Sequence, residues 1–250
     1  MSHRQRSGQP REAPHRLAFV DEKFQWGFYI HFVTQLSIAE MDGQKALNHE
    51  MVHRVFVDLD NTLLPFDTLG PVWKAILAAG LRPKLSKVTL QLGWQSIAKS
   101  LMASCFAGMP FQEYKAFLFD VAKSFANDID PSVKFWSEDL VSDKSHIHIL
   151  TGSFLPLAAG ISDHLGWGQS IGTDVEIRSG RLTGKLSTPA IKGYQKVKAI
   201  KQVFKLRDHH FRFFAAAGDS YSDRYLLEKC SLRYFPRNAS RRLMRYFAAN

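Results

Sequence analysis

The 250-residue sequence predicts an α/β fold built on a parallel sheet, with an all-α segment inserted after its first strand. Three observations lead there. Strand-like and helix-like segments alternate over the second half of the chain, which is the pattern of parallel βαβ units. After the first strand, about seventy residues carry helical spacing and few strand signals. Three strand ends that are distant in sequence each finish in acidic or hydroxyl side chains: Asp58/Asp60/Thr62, Thr151/Ser153 and Asp219/Asp223. Sheets of this kind bind ligands beyond the carboxyl ends of their strands.

Residues 1–16, rich in Ser, Gly, Pro, Gln and Arg, read as a disordered tail. Residues 17–51 form an N-terminal extension with helical pieces near 20–39 and 43–53 and no assigned role. The first strand, 52–57, runs into Asp58-Leu59-Asp60-Asn61-Thr62. The insertion, 68–143, comes next. Its helical faces are Val72-Trp73-Ile76-Leu77, Val88-Leu92-Ile97-Leu101, Phe111-Tyr114-Phe117-Leu118-Val121-Phe125 and Val133-Phe135-Trp136-Leu140. Pro110 suits the first turn of the third. The core, 52–67 and 144–250, resumes with a strand at 146–150 whose His146 and His148 share one face. They read either as hydrogen-bonded strand histidines or as a metal pair. Then come a helix at 156–165, a strand at 172–177 and a hairpin turn at Ser179-Gly180 leading to 181–186. A helix at 193–205, a strand at 211–217, a helix to Cys230, a strand at 232–235 and a last helix from Ala239 complete the chain.

Composition narrows the function classes. Two cysteines, Cys105 and Cys230, lie far apart without nearby Cys or His partners, so neither a zinc site nor a disulfide framework is expected, and a reducing compartment suits them. The formal charge of +10 is concentrated at the two ends, in Arg4, Arg6, Arg11 and Arg16 and in Arg233, Arg237, Arg241, Arg242 and Arg245. No aromatic-plus-basic nucleic-acid module accompanies it, so no nucleic-acid partner is expected. No apolar run reaches the ~18–20 residues of a membrane-spanning helix, and no signal peptide is read at the start. The expectation is a cytoplasmic protein, with peripheral membrane association left open.

Carboxylates two apart in extended chain face one side, and together they repel unless a cation sits between them. Mg2+ is held in this way, by one or two carboxylates plus substrate phosphate. In phosphoryl transfer an aspartate can serve as nucleophile, a second carboxylic acid as proton donor and acceptor, and a lysine, a hydroxyl and backbone amides as holders of phosphoryl oxygens. Each part has a candidate.

These residues resemble the motifs of haloacid-dehalogenase-superfamily phosphatases, over about residues 52–248. The resemblance implies a Rossmann-like parallel sheet with a helical cap in the insertion. It implies Asp58 as nucleophile and Asp60 as general acid/base. Mg2+ would be held by the Asp58 side chain, the Asp60 carbonyl and Asp219, with Asp223 supporting its water shell. Thr151 and the Gly152 amide would bind phosphate. The motif lysine is Lys196 by its spacing to Asp219, with Lys192 in reserve. The strand and hairpin between the second and third motifs are similar to the phosphoserine-phosphatase-like subfamily. There an acid soon after the first motif recognises the substrate amine, an offset matched by Asp67, which equally suits a helix cap. The aromatic-rich insertion suits a lipid phosphate or, read as packing, a small-molecule phosphate. The implied activity is phosphomonoester hydrolysis through an aspartyl-phosphate. A phosphotransferase or mutase shares that intermediate, and a non-catalytic binding protein shares the fold.

Overall fold

A computed structural model describes residues 50–87, 94–187, 190–206 and 211–249. The tail, the extension up to residue 49 and the helical spacing at Val88 and Leu92 lie outside the described residues. The chain divides into two units, Met1–Asn48 and His49–Asn250, and every described element belongs to the second.

The first strand, β1 (Glu50–Val57), is the middle of a five-stranded parallel sheet of order β3-β2-β1-β6-β7. Its neighbours are β2 (Ile147–Phe154) and β6 (Phe211–Ala217); β3 (Ile171–Thr173) and β7 (Cys230–Tyr234) form the edges. Central position explains the unbroken apolar run Val55-Phe56-Val57, fully buried on both faces. Val55 and Val57 enter one hydrophobic cluster and Phe56 the other. Val57 pairs with Ile149 on one side and Ala217 on the other. The residues after these three therefore emerge together at the carboxyl ends of the central strands.

Among the described residues, four α-helices lie between β1 and β2: α1 (Leu69–Ala78), α2 (Trp94–Cys105), α3 (Phe111–Ser124) and α4 (Pro131–Asp139). Asp130 caps α4, accepting from Ser132 N and Val133 N, with Pro131 in its first turn. Helix α5 (Leu155–Leu165) comes directly after β2 and packs against α3. Gly160 makes this approach: a methyl placed there would lie 2.8 Å from Ala122 Cβ and 3.2 Å from the Phe119 Cα. The insertion's aromatics are spent largely on packing. Phe106 and Tyr114 are fully buried, and Trp73, Phe111, Phe117 and Trp136 pack on the same cluster. Phe135 alone of the predicted α4 face points outward.

Two segments differ from expectation. The strand at 172–177 is two strands in two sheets: β3 on the main sheet, then β4 (Val175–Arg178), which pairs antiparallel with β5 (Arg181–Leu186). The break falls at Asp174, whose carboxylate accepts from Val175 N at 2.8 Å and redirects the chain. The predicted metal-pair alternative for His146 and His148 is also absent. His146 ends a short 3-10 turn and is exposed, while His148 is buried in β2. The His148 ring lies 3.0 Å from the Gln169 carbonyl through Nδ1 and 2.9 Å from Arg54 Nη1 through Nε2. A guanidinium only donates and a carbonyl only accepts, so the ring is the neutral tautomer with its proton on Nδ1.

The second face of the sheet is covered by α6 (Tyr194–Val203), α7 (Arg224–Leu227) and α8 (Arg241–Ala249), through Val197, Ile200, Leu226, Leu227 and Leu243.

Candidate active site

The loop after β1 turns tightly at Asn61, which takes the left-handed conformation at φ 57°. Asparagine tolerates this better than most residues. The turn lets Thr62 N and Leu64 N bond back to the Leu59 carbonyl and Leu63 N to the Asp58 carbonyl. Asp58 and Asp60 then face one cavity. Helix α6 begins after Gly193, at φ 58° and ψ −131°, a conformation that favours glycine, and this start aims Lys196 under the sheet edge.

The Lys196 ammonium lies 2.7 Å from Asp58 Oδ1 and 2.7 Å from Asp223 Oδ1. Asp58 Oδ1 also accepts from Leu59 N at 2.9 Å. Asp223 Oδ2 accepts from the Ser220 amide at 3.0 Å and hydroxyl at 2.6 Å. All three charged groups are buried. Burial opposes the charge on Lys196, but the two carboxylates more than offset it and hold its pKa above the ordinary value. Asp223 keeps its charge: burial raises its pKa, and Lys196 with the Ser220 donors brings it below the usual range. Asp58 has fewer donors, and burial holds it above the usual carboxylate range against the pull of Lys196.

Asp60 is oriented differently. Its Oδ1 accepts from the Thr68 amide at 2.8 Å and the Thr68 hydroxyl at 2.6 Å. Burial raises its pKa, and the Thr68 bonds oppose the rise. Asp219, at the end of β6, has its Oδ1 3.4 Å from the Thr62 hydroxyl. Burial first, and then the neighbouring Asp223, push it up to about 6. Ligand oxygens of Asp58, Asp219 and Asp223 all lie within 4.8 Å of one another. Both Asp223 oxygens are engaged, so Asp58 and Asp219 are the carboxylates best placed to hold a cation.

A cavity of about 160 Å³ opens on this group, lined by Asp58, Asp60, Asp67, Gly152, Lys196 and Asp219 among others. Thr151 is fully buried behind the lining, where its hydroxyl accepts from Ser153 N at 2.9 Å. Asp223 is likewise behind it. Asp67, one residue ahead of Thr68, which is the N-cap of α1, lines the cavity and also accepts from Leu69 N at 2.8 Å. Lys192 lines the same cavity.

Sequence reasoning missed two residues. Lys99, on α2, reaches the cavity, and its ammonium would lie 3.1 Å from a methyl added at Gly152. Burial lowers its pKa, while Asp60 and Asp67 oppose that. Thr68 is the sole donor to Asp60 among the described residues. Neither had a local signal: a lysine within an amphipathic helix and a threonine at a helix start are ordinary in sequence.

The family model described as haloacid dehalogenase-like hydrolase matches residues 55–228. The chain is 24% identical over 86 residues to the phosphoserine phosphatase of Archaeoglobus fulgidus, covering 34% of this chain and 25% of that protein. It thus spans about a quarter of the length of this curated relative. A solved structure of a Bordetella pertussis Tohama I protein of unknown function matches with a TM-score of 0.63 at 21% identity, over 80% of this chain and 96% of that one. That likeness is one of fold.

Proposed function

We propose, from the premise that this chain belongs to the haloacid dehalogenase-like hydrolases, that it is a Mg2+-dependent phosphomonoester hydrolase acting on a small-molecule phosphate. The observation that carries the reading is the meeting of Asp58, Asp60, Lys196 and Asp219 at one cavity. The name of the Archaeoglobus relative points the same way.

Asp58 is the nucleophile. Its Oδ1 is held by Lys196 and the Leu59 amide, which leaves Oδ2 to attack phosphorus. As that bond forms, the P–O ester bond breaks, and the departing oxygen takes the Asp60 proton to leave as an alcohol. Water then attacks the phosphorus of the aspartyl-phosphate and gives its proton to Asp60. The bond to Asp58 breaks, and inorganic phosphate is released. The Gly152 amide and Lys196 stabilise the phosphoryl oxygens, with the Thr151 hydroxyl bracing the end of β2 that carries Gly152. The oxygen donors of Asp58 and Asp219, with the Asp60 carbonyl, fit a hard cation such as Mg2+, which when bound offsets the repulsion between the carboxylate and a phosphate dianion.

Cavity size favours a compact substrate. About 160 Å³ is close to an engineered cavity that accepts benzene. Among the described residues the apolar side chains of the lining are Leu69, Ala190 and Ile191, set among charged and hydroxyl groups, which supports a polar small molecule over an acyl chain.

Hydrolysis of p-nitrophenyl phosphate with Mg2+ tests the reading. Activity is expected to vanish with EDTA and to fall by at least about 10³-fold in Asp58→Asn. Mass spectrometry of the wild type with substrate is expected to find phosphate on the Asp58 peptide. Undiminished turnover in the variant defeats the mechanism. Transfer to an added alcohol in place of phosphate release assigns the phosphotransferase alternative.

A further inference from the structure

We propose that Thr68 is a positioning residue for Asp60: with Ser153 behind it, it fixes one carboxylate oxygen so that the other meets the leaving oxygen of the substrate. The proposal rests on the reading of Asp60 as the proton donor and adds residues which that reading lacks.

Both bonds from Thr68, amide and hydroxyl, converge on Asp60 Oδ1. The Thr68 hydroxyl also lies 2.7 Å from Ser153 Oγ, and both residues are buried. A hydroxyl has one proton to give. Oδ1 already accepts from the Thr68 amide, which marks it as the acceptor oxygen of Asp60, so the Thr68 hydroxyl gives its proton there at 2.6 Å. Ser153 must then donate to Thr68. Direction is thereby fixed along the chain Ser153 to Thr68 to Asp60. Oδ1 is saturated, and Oδ2 is the oxygen left to exchange a proton with substrate across the cavity that Asp60 lines. Without the pair of donors, rotation about the broad terminal torsion of Asp60 costs little.

Placement adds to this. Thr68 stands at the junction where the chain leaves the β1 loop for α1, and its carbonyl accepts from Val72 N at 3.0 Å in the first turn. Ser153 is near the end of β2, and its amide donates to Thr151. The hydrogen-bond chain therefore ties the proton donor to the start of the inserted helices and to the end of β2 beside Gly152.

Thr68→Val keeps the shape and removes the hydroxyl; Thr68→Ser restores it. The readout is kcat/KM, which ends with departure of the leaving group. p-Nitrophenolate leaves without much help from an acid, whereas an alkoxide needs one. Thr68→Val is expected to lower kcat/KM by about 10-fold or more for an alkyl phosphate such as glycerol phosphate, and by less than about 3-fold for p-nitrophenyl phosphate. Thr68→Ser is expected to stay within about 3-fold of the wild type on both. Losses on the two substrates within about 3-fold of each other overturn the proposal. A thermal-unfolding cycle of Thr68→Val, Asp60→Ala and the double variant reads the bond without activity. Coupling between the two sites is expected, and strict additivity overturns the pairing. A wild type inactive on every monoester defeats the phosphatase reading, and the cycle still decides the Thr68–Asp60 pair.

Discussion

At the scale of single residues, the site sorts into groups announced by local sequence and groups delivered by folding. Asp58 and Asp60 come directly after a buried strand, where a charge without purpose is costly, and Asp219 repeats the arrangement after β6. Lys196 was separable from Lys192 only by spacing, and the geometry gives it the Asp58 contact. Lys99 and Thr68 were illegible, because their roles depend on which side of the cavity α1 and α2 come to rest. The Lys99 ammonium makes no hydrogen bond or ion pair among the described residues, yet it faces the cavity beside Gly152. Lys99→Gln is therefore expected to raise KM by about 10- to 150-fold with a smaller change in kcat, as loss of a charge-assisted contact of about 1.5–3 kcal/mol implies. Steady-state kinetics check this, and an unchanged KM counts against any substrate contact by Lys99.

At the scale of elements, helical periodicity located α1, α3, α4, α5 and α6, while the division of 171–178 between two sheets escaped notice. Alternation with period two reads the same whether a strand joins the main sheet or a hairpin, and only Asp174 marks the break. The contact of α3 with α5 was also hidden, since a glycine inside a helix looks like a weakness rather than a close approach. Gly160→Val is expected to destabilise by about 1–3 kcal/mol or more, measured by urea unfolding, because Ala122 and the Phe119 backbone leave no room. In β2, burial holds the pKa of His148 down at about 4, below its ordinary 6.5, with Arg54 adding to the effect and the Gln169 carbonyl opposing it. The unfolded chain thus binds more protons between these values. The contribution of His148 is complete above about pH 6.5 and is lost as pH falls towards 4. Between pH 7 and pH 4.5 this amounts to about 2–3 kcal/mol. His148→Gln is expected to flatten the acid side of the stability profile by that amount, and an equal slope in both proteins refutes the assignment.

At the scale of the whole molecule, alternation of elements was enough to foresee the parallel sheet and the gathering of strand ends, because those are consequences of connectivity. How closely the inserted helices join the core was not foreseeable. The cluster on one face of the sheet contains Val55, Val57 and Ile149 from the strands together with Phe106, Tyr114 and Leu118 from α2 and α3. His49–Asn250 is accordingly one compact unit. In the full chain, hydrogen-exchange protection of α3 and α5 is expected to disappear at the same urea concentration. Loss of α3 protection well before α5 shows instead that the insertion unfolds by itself.

The ammonium of Lys196 stands at equal distance from two carboxylates. Held by both, it divides its charge between Asp58 and Asp223, which the proposed reading needs if the free oxygen of Asp58 is to attack phosphorus. On that reading Asp223 is a counterweight: buried behind the cavity lining, it rations how much positive charge reaches Asp58. A chain that lost this rival anion would leave the whole of that charge leaning on Asp58.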